Sequence, residues 1–129
     1  MKVLIVDDND TYAKNLIQYF ESKSCSTKRA FTAKEGEEFF KQEKFDIIVT
    51  DITMETQTSG LFLARKIFKS GFKGKLIIAT TGFDVWGVLF FGKYLLPFFA
   101  GVHYMIPKVP LKKGIVEFHP TSIGNEKLF

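Results

Sequence analysis

Short runs of apolar residues alternate along this chain with stretches whose apolar residues are spaced for a helix. Four of the runs read VLIV, IIVT, LIIA and YMI. Such runs are typical of strands covered on both faces, as in a parallel sheet. A weaker strand pattern over residues 26–30 brings the number of strands to five. The alternation of strands and helices predicts an α/β fold, a doubly wound parallel five-stranded sheet.

Three helices are indicated in the first half of the chain. Ala13, Leu16, Ile17 and Phe20 recur at the spacing of one helix face, and Asn9 or Asp10 can cap that helix. The residues of TAKE have capping-box spacing and open a second helix. A third helix is predicted over residues 61–68.

The segment over residues 85–99, VWGVLFFGKYLLPFF, is apolar on every side of a predicted helix. A helix that is apolar all round is normally covered all round. A membrane span is a poor interpretation, because Lys93, Pro97 and glycines interrupt the segment. Exposed apolar patches of this size rarely stay unoccupied, so we expect a homodimer through residues 85–99 and no membrane contact.

The end of the chain lacks a regular pattern. Gly114, Pro120 and Gly124 interrupt it, and no helical period is sustained. We therefore predict a core over residues 1–110 and a tail over residues 111–129, with a last helix that is irregular or missing. Either another chain covers part of one sheet face, or the tail packs there in extended form.

Composition narrows the class of protein. The chain has 129 residues, 46% of them hydrophobic and 25% charged, which is typical of one soluble globular domain. A single cysteine, Cys25, excludes a disulfide framework and multi-cysteine metal motifs, and it favours a reducing compartment, the cytoplasm. The net charge of +4 comes from scattered lysines, so we expect no direct nucleic acid binding.

Three acidic residues follow predicted strands, at positions where parallel strands bring side chains together. Asp7 and Asp8 end the first strand and Asp51 ends the third, while Thr81 and Lys108 follow the fourth and fifth. Three carboxylates at one point need a counter-ion, and an all-oxygen cluster selects a hard cation such as Mg²⁺. A carboxylate beside Mg²⁺ can act as a nucleophile toward phosphorus.

Four motifs stand in order along residues 2–110: LIVDD, IIVTDITM, IIATTG and AGVHYMIPK. Together they resemble the receiver domain of bacterial response regulators in two-component signalling, which has a flavodoxin-like (βα)₅ fold. The resemblance implies that Asp51 accepts a phosphoryl group. It implies further that Asp7 and Asp8 organise Mg²⁺, with the backbone carbonyl of Thr53 as another ligand.

The resemblance also assigns Thr81 and Lys108 to the phosphoryl oxygens, although Thr80 competes with Thr81 by one residue. It implies a phosphohistidine donor on a histidine kinase or phosphotransfer protein, and a domain that catalyses its own phosphorylation without being a turnover enzyme. The signal would pass on through protein contacts.

The chain departs from the family pattern near the lysine. Pro107 precedes Lys108, whereas the family has a proline after this lysine, and Met105 stands where the family has an aromatic switch residue. That switch is either altered or shifted in register to Tyr104. An alternative function follows from these departures: a degenerate receiver that acts as a constitutive interaction or dimerisation module without phosphotransfer.

Overall fold

The computed structural model describes residues 1–52, 54, 58–81, 86–124 and 128, and it describes only the backbone of residues 86–92. Within these ranges, six strands form one sheet in the order β2-β1-β3-β4-β5-β6. The first five are parallel: β1 (Lys2–Val6), β2 (Ser26–Ala30), β3 (Ile47–Asp51), β4 (Lys75–Thr80) and β5 (Val102–Pro107). The predicted parallel sheet is thus confirmed. A sixth strand, β6 (His119–Pro120), is antiparallel to β5 and was not predicted.

Helices cover both faces of the sheet, as a doubly wound fold requires. They are α1 (Asp10–Ser22), α2 (Ala33–Gln42), α3 (Ser59–Lys69), α4 (Trp86–Ala100) and α5 (Lys108–Lys112). Alternate residues of each strand face opposite sides. Leu4 and Ile48 pack in the core beneath α2, α3 and α4, whereas Ile5 and Val49 pack beneath α1 and the tail. Both cores are apolar, which explains the continuous apolar runs in the sequence.

The helix caps explain where α1 and α2 begin. The side-chain oxygen of Asn9, rather than that of Asp10, accepts a hydrogen bond from the N–H of Tyr12 at 3.0 Å. The hydroxyl of Thr32 accepts one from the N–H of Glu35, also at 3.0 Å. Each cap satisfies a backbone N–H that has no partner inside its helix.

The second half of α4 is partly exposed. Leu96, Pro97 and Ala100 are buried, whereas 46% of Leu95 and 85% of Phe98 are accessible to solvent. The predicted interface over residues 85–99 is therefore described only in part, because Val85 and the side chains of residues 86–92 lie outside the description. Among the described residues, no helix is both long and apolar enough to span a membrane.

The tail packs on its own domain in extended form, the second of the two arrangements left open by the sequence. Helix α5 ends at Lys112, and Gly114 (φ +86°) lets the chain turn. The ring of Phe118 then packs against Tyr19 and Tyr104, with centroid distances of 5.5 and 6.0 Å. The tail thereby covers sheet surface that the five-residue α5 leaves open.

Candidate functional site

The three predicted acidic residues meet at the carboxyl edge of the sheet. Val6 pairs with Thr50 in the β1–β3 register, so the residues that follow in each strand, Asp7 and Asp51, lie side by side. One carboxylate oxygen each from Asp7, Asp8 and Asp51 lies within 4.8 Å of the other two. Asp7 and Asp51 are buried and Asp8 is exposed, so the cluster opens to solvent on one side.

The carboxyl group of Asp7 is the most perturbed member of this cluster. Its Oδ1 accepts a hydrogen bond from the N–H of Asn9 at 2.9 Å, while its buried Oδ2 has no hydrogen-bond partner among the described residues. The pKa of Asp7 is raised from 3.8 to about 6, chiefly by burial; the hydrogen bond from Asn9 and the charge of Lys108 lower it, and the charges of Asp51 and Asp8 raise it. A cation beside Oδ2 would remove this destabilisation.

Lys108 brings a positive charge to the same point. It is the first residue of α5, directly after Pro107, whose extended backbone (φ −70°, ψ 130°) ends β5. Its ammonium group forms an ion pair with Oδ1 of Asp51 and lies 5.2 Å from the ring centre of Tyr12. The side chain is buried, so the proline that precedes Lys108 does not keep it away from Asp51.

The structure locates Thr80 and Thr81 at the end of β4, next to the strand that ends in Asp51. Thr80 is the last residue of β4, and its hydroxyl donates to the carbonyl oxygen of Thr81 at 3.1 Å. Thr81 follows the strand and is exposed at the edge where Asp51 ends β3. Thr53, the predicted carbonyl ligand, lies outside the described residues.

Arg29, on β2, supports the loop that carries Asp7 and was not identified from the sequence. Its Nε and Nη2 donate to the backbone carbonyl of Asp7 at 3.3 and 3.1 Å, and its Nη1 pairs with Asp10 at 2.8 Å. The guanidinium also stacks on the ring of Phe31, 3.9 Å from its centre. The sequence shows only one arginine in a short predicted strand, and this pattern does not indicate which residue the arginine contacts.

Gly60 supports the end of β3 and was also missed. A Cβ atom at this position would lie 1.5 Å from the carbonyl oxygen of Asp51, so only glycine lets α3 pass this close. The N–H of Gly60 donates to the carbonyl of Ile52 at 3.0 Å. A glycine nine residues after the predicted acceptor was the available signal.

The family's aromatic switch is not shifted to Tyr104. Tyr104 packs in the core beneath α1 and the tail, whereas Met105 packs in the opposite core with α3 and α4. Neighbouring residues of a strand face opposite sides of the sheet, so Tyr104 cannot replace the residue at position 105. The buried thioether of Met105 stands there instead.

The residues of the cluster fit a hard divalent cation. The donors are carboxylate oxygens, and the Oδ2 of Asp7 is buried without a hydrogen-bond partner among the described residues. Oxygen donors without sulfur or imidazole are the set that suits Mg²⁺.

Comparison with known proteins agrees with this geometry. The sequence model of the family described as "Response regulator receiver domain" matches residues 3–85. No curated protein matches the chain. Solved structures do match, among them the receiver domain of the Francisella response regulator 1452, with 25% identity, a TM-score of 0.68 and 84% of each chain covered.

Two further structures show the same fold. The chemotaxis response regulator CheY4 of Vibrio cholerae has 19% identity and a TM-score of 0.70, over 88% of this chain and 90% of that one. The response regulator TrrA of Thermotoga maritima, solved in complex with Mg(2+)-BeF, has 20% identity and a TM-score of 0.65, over 88% and 98%. The chain belongs to the response regulator receiver domain family.

Proposed function

We propose that this receiver domain is a Mg²⁺-dependent phosphoacceptor, phosphorylated on Asp51 by a histidine kinase or phosphotransfer protein. The observation that carries the proposal is the convergence of Asp7, Asp8 and Asp51 at one sheet edge, with Lys108 paired to Asp51. Receiver domains are signalling modules rather than turnover enzymes, and we propose the same for this chain.

Asp7, Asp8 and Asp51 would hold the metal, together with the backbone carbonyl of Thr53. When bound, Mg²⁺ supplies positive charge that neutralises the carboxylates and the phosphoryl oxygens. The Oδ2 of Asp7, buried and without a hydrogen-bond partner in the part of the chain that the structure describes, supports this assignment. The complex of TrrA with Mg(2+)-BeF, a relative of the same fold, supports it as well.

In the proposed reaction, a carboxylate oxygen of Asp51 attacks the phosphorus of a phosphohistidine. An O–P bond forms while the P–N bond breaks, and its electron pair returns to the donor's imidazole. Lys108 then pairs with a phosphoryl oxygen instead of with the free carboxylate, and the hydroxyl of Thr81 donates to another. Asp51, Lys108 and Thr81 neither gain nor lose a proton when the phosphoryl group is transferred.

The test is intact-mass analysis after incubation with a small acyl phosphate, with and without Mg²⁺. We expect a gain of one phosphoryl group that requires Mg²⁺ and that Asp51→Asn abolishes. The asparagine variant keeps the size of the side chain and removes the nucleophile. A folded wild-type protein that gains no mass would contradict the proposal.

That negative result would favour the alternative function, a constitutive interaction or dimerisation module. The exposed apolar side chains of Leu95 and Phe98 support it. Both functions involve protein contacts, so the mass measurement separates them where a binding assay would not.

We also propose that the domain signals as a homodimer through residues 85–99. The exposure of Leu95 and Phe98 on one side of α4 supports this, because large apolar side chains cluster at protein interfaces. We expect a dimer in sedimentation at protein concentrations in the micromolar range and a monomer for Phe98→Ser. Val109→Ser, which changes an exposed residue of α5, is the matched control; a monomeric wild type would exclude the dimer.

A further inference from the structure

Helix α4 contains a proline and continues past it. Pro97 has no N–H, so the carbonyl of Lys93, four residues earlier, lacks the α-helical hydrogen bond that residue 97 would otherwise donate to it. The helix nevertheless runs to Ala100, and the N–H of Gly101 donates to the carbonyl of Pro97 at 2.9 Å. One carbonyl on this helix therefore needs a donor from elsewhere.

The tail supplies that donor. The backbone N–H of Ser122 donates to the carbonyl oxygen of Lys93 at 2.9 Å. Lys93 and Ser122 are far apart in sequence, so this bond joins α4 to the segment that follows β6 at the edge of the sheet. Pro97 thus leaves the carbonyl oxygen of Lys93 available as an acceptor, and the N–H of Ser122 in the tail donates to it.

The tail is fixed next to this bond. The hydroxyl of Thr121 contacts the carbonyls of Val102 and His103 at 2.7 and 3.0 Å, and its N–H donates to the carbonyl of His103 at 2.9 Å. Thr121 is 3% exposed, and a Cβ atom at Gly124 would lie 1.7 Å from the carbonyl of His103. Ser122 is therefore held in position from both sides.

His103 lies at an irregularity of the sheet. Leu76 pairs with Val102 and Ile77 with Tyr104, so His103 is an extra residue in β5. Its Nδ1 accepts a hydrogen bond from the N–H of Leu76 at 3.3 Å. A bulge of this kind redirects the local backbone groups, and here the carbonyl of His103 binds the tail.

We infer that residues 119–124 form a strap, a segment that sets the position of the second half of α4 and that depends on Pro97. The strap joins the edge of β5 to the helix whose Leu95 and Phe98 are exposed. It controls the geometry of that surface, and its release is the step that would free α4 to move.

The test combines two substitutions and reads amide hydrogen exchange by NMR in the full chain. Ser122→Pro removes the donor, and Ser122→Ala keeps it. We expect exchange of the amides of residues 98–101 to rise about tenfold in Ser122→Pro and to stay unchanged in Ser122→Ala. If the two variants changed the exchange of these amides equally, the inferred strap would be disproved.

Pro97→Ala tests the dependence on proline. The alanine N–H can bond to the carbonyl of Lys93 within the helix, so we expect Ser122→Pro to have no further effect on α4 in this background. If Ser122→Pro raised amide exchange in α4 as much in the Pro97→Ala background as in the wild type, the inference would be overturned, because the effects of independent substitutions add and those of coupled ones do not.

One measurement remains decisive even if Ser122→Pro does not fold. The Ser122 amide, although on an exposed residue, should exchange at least about tenfold more slowly in the wild type than in Pro97→Ala. Equal exchange of this amide in the two proteins would show that Pro97 does not specify the link, and it would overturn the strap.

Discussion

The ammonium group of Lys108 is paired with the carboxylate of Asp51 inside the protein, with both residues less than one tenth exposed. The pair places a positive charge beside the acidic cluster on the first residue of α5, so the lysine is held by the helix as well as by the charge. Removing one partner of a buried pair leaves the other charge without compensation.

We therefore expect Lys108→Met to lower the free energy of unfolding at neutral pH by about 3 kcal/mol in the metal-free protein. The loss arises because the carboxylate of Asp51 loses the positive charge of Lys108, while the carboxylates of Asp7 and Asp8 remain nearby. Urea denaturation in the presence of a chelator measures it. Lys113→Met changes an exposed lysine just beyond the same helix and should cost less than about 0.5 kcal/mol. Equal losses in the two variants would contradict the role of the pair.

The pKa of Asp7 predicts how the stability of the metal-free protein changes with pH. Because the folded-state pKa lies at about 6 and the ordinary value is 3.8, the folded protein binds the proton more tightly than the unfolded chain. The stabilisation is fully present below pH 3.8 and is lost as the pH rises through about 6. Asp7→Asn should remove this part of the pH dependence, measured by urea denaturation at a series of pH values.

We expect Mg²⁺ to reverse the sign of that dependence. In the proposed site Mg²⁺ would bind the carboxylate and compete with the proton, so its stabilising effect should grow as the pH rises through about 6. Glu21→Gln, which changes an exposed carboxylate on α1, should leave both pH profiles unchanged. A wild-type profile identical to that of Asp7→Asn would disprove the assignment.

Arg29 should affect metal affinity without contacting the metal. It holds the backbone of Asp7 through two hydrogen bonds, and groups that orient a ligand typically change affinity by 10–100-fold. We expect Arg29→Met to weaken Mg²⁺ binding about tenfold, measured by calorimetry, with Arg29→Lys intermediate. Lys28→Met is the control, because Lys28 is the neighbouring residue of β2 and pairs with Glu43 instead of supporting Asp7. Similar losses in the two Met variants would point to net charge rather than orientation.

Gly60 should tolerate no side chain. The Cβ atom of Gly60→Ala would overlap the carbonyl oxygen of Asp51, so α3 or the end of β3 must move. Forced repacking of this kind costs about 1–3 kcal/mol, and urea denaturation should show a loss in that range. The exposed Lys69 at the end of α3 offers a control, Lys69→Ala, with a change below about 0.5 kcal/mol. An unchanged free energy of unfolding in Gly60→Ala would mean that α3 and the end of β3 can move apart without loss of stability.

The sequence predicts those parts of the site that depend on strand order and strand ends. Asp7 and Asp51 converge because each directly follows an apolar run, and parallel strands end at one edge. Arg29 and Gly60 could not be assigned, because their roles lie in contacts to backbone carbonyls that no residue pattern encodes. The choice between Thr80 and Thr81 likewise depends on where β4 ends.

The sixth strand escaped prediction for a related reason. His119 and Pro120 form no apolar run, and they become a strand only by pairing with Met105 and Tyr104. The bond from Ser122 to Lys93 is equally invisible, because the sequence shows Pro97 as an interruption and not as the cause of an attachment.

The short strand β6 also limits how molecules can associate edge to edge. Growth of a continuous β-ladder needs two open edges on every molecule. In the part of the chain described, β6 blocks one edge with two residues, one of them a proline without an N–H to offer. The opposite edge, β2, carries Lys28 and Arg29, charged residues that disfavour strand addition. Edge-to-edge growth into fibres is therefore disfavoured at both of these edges.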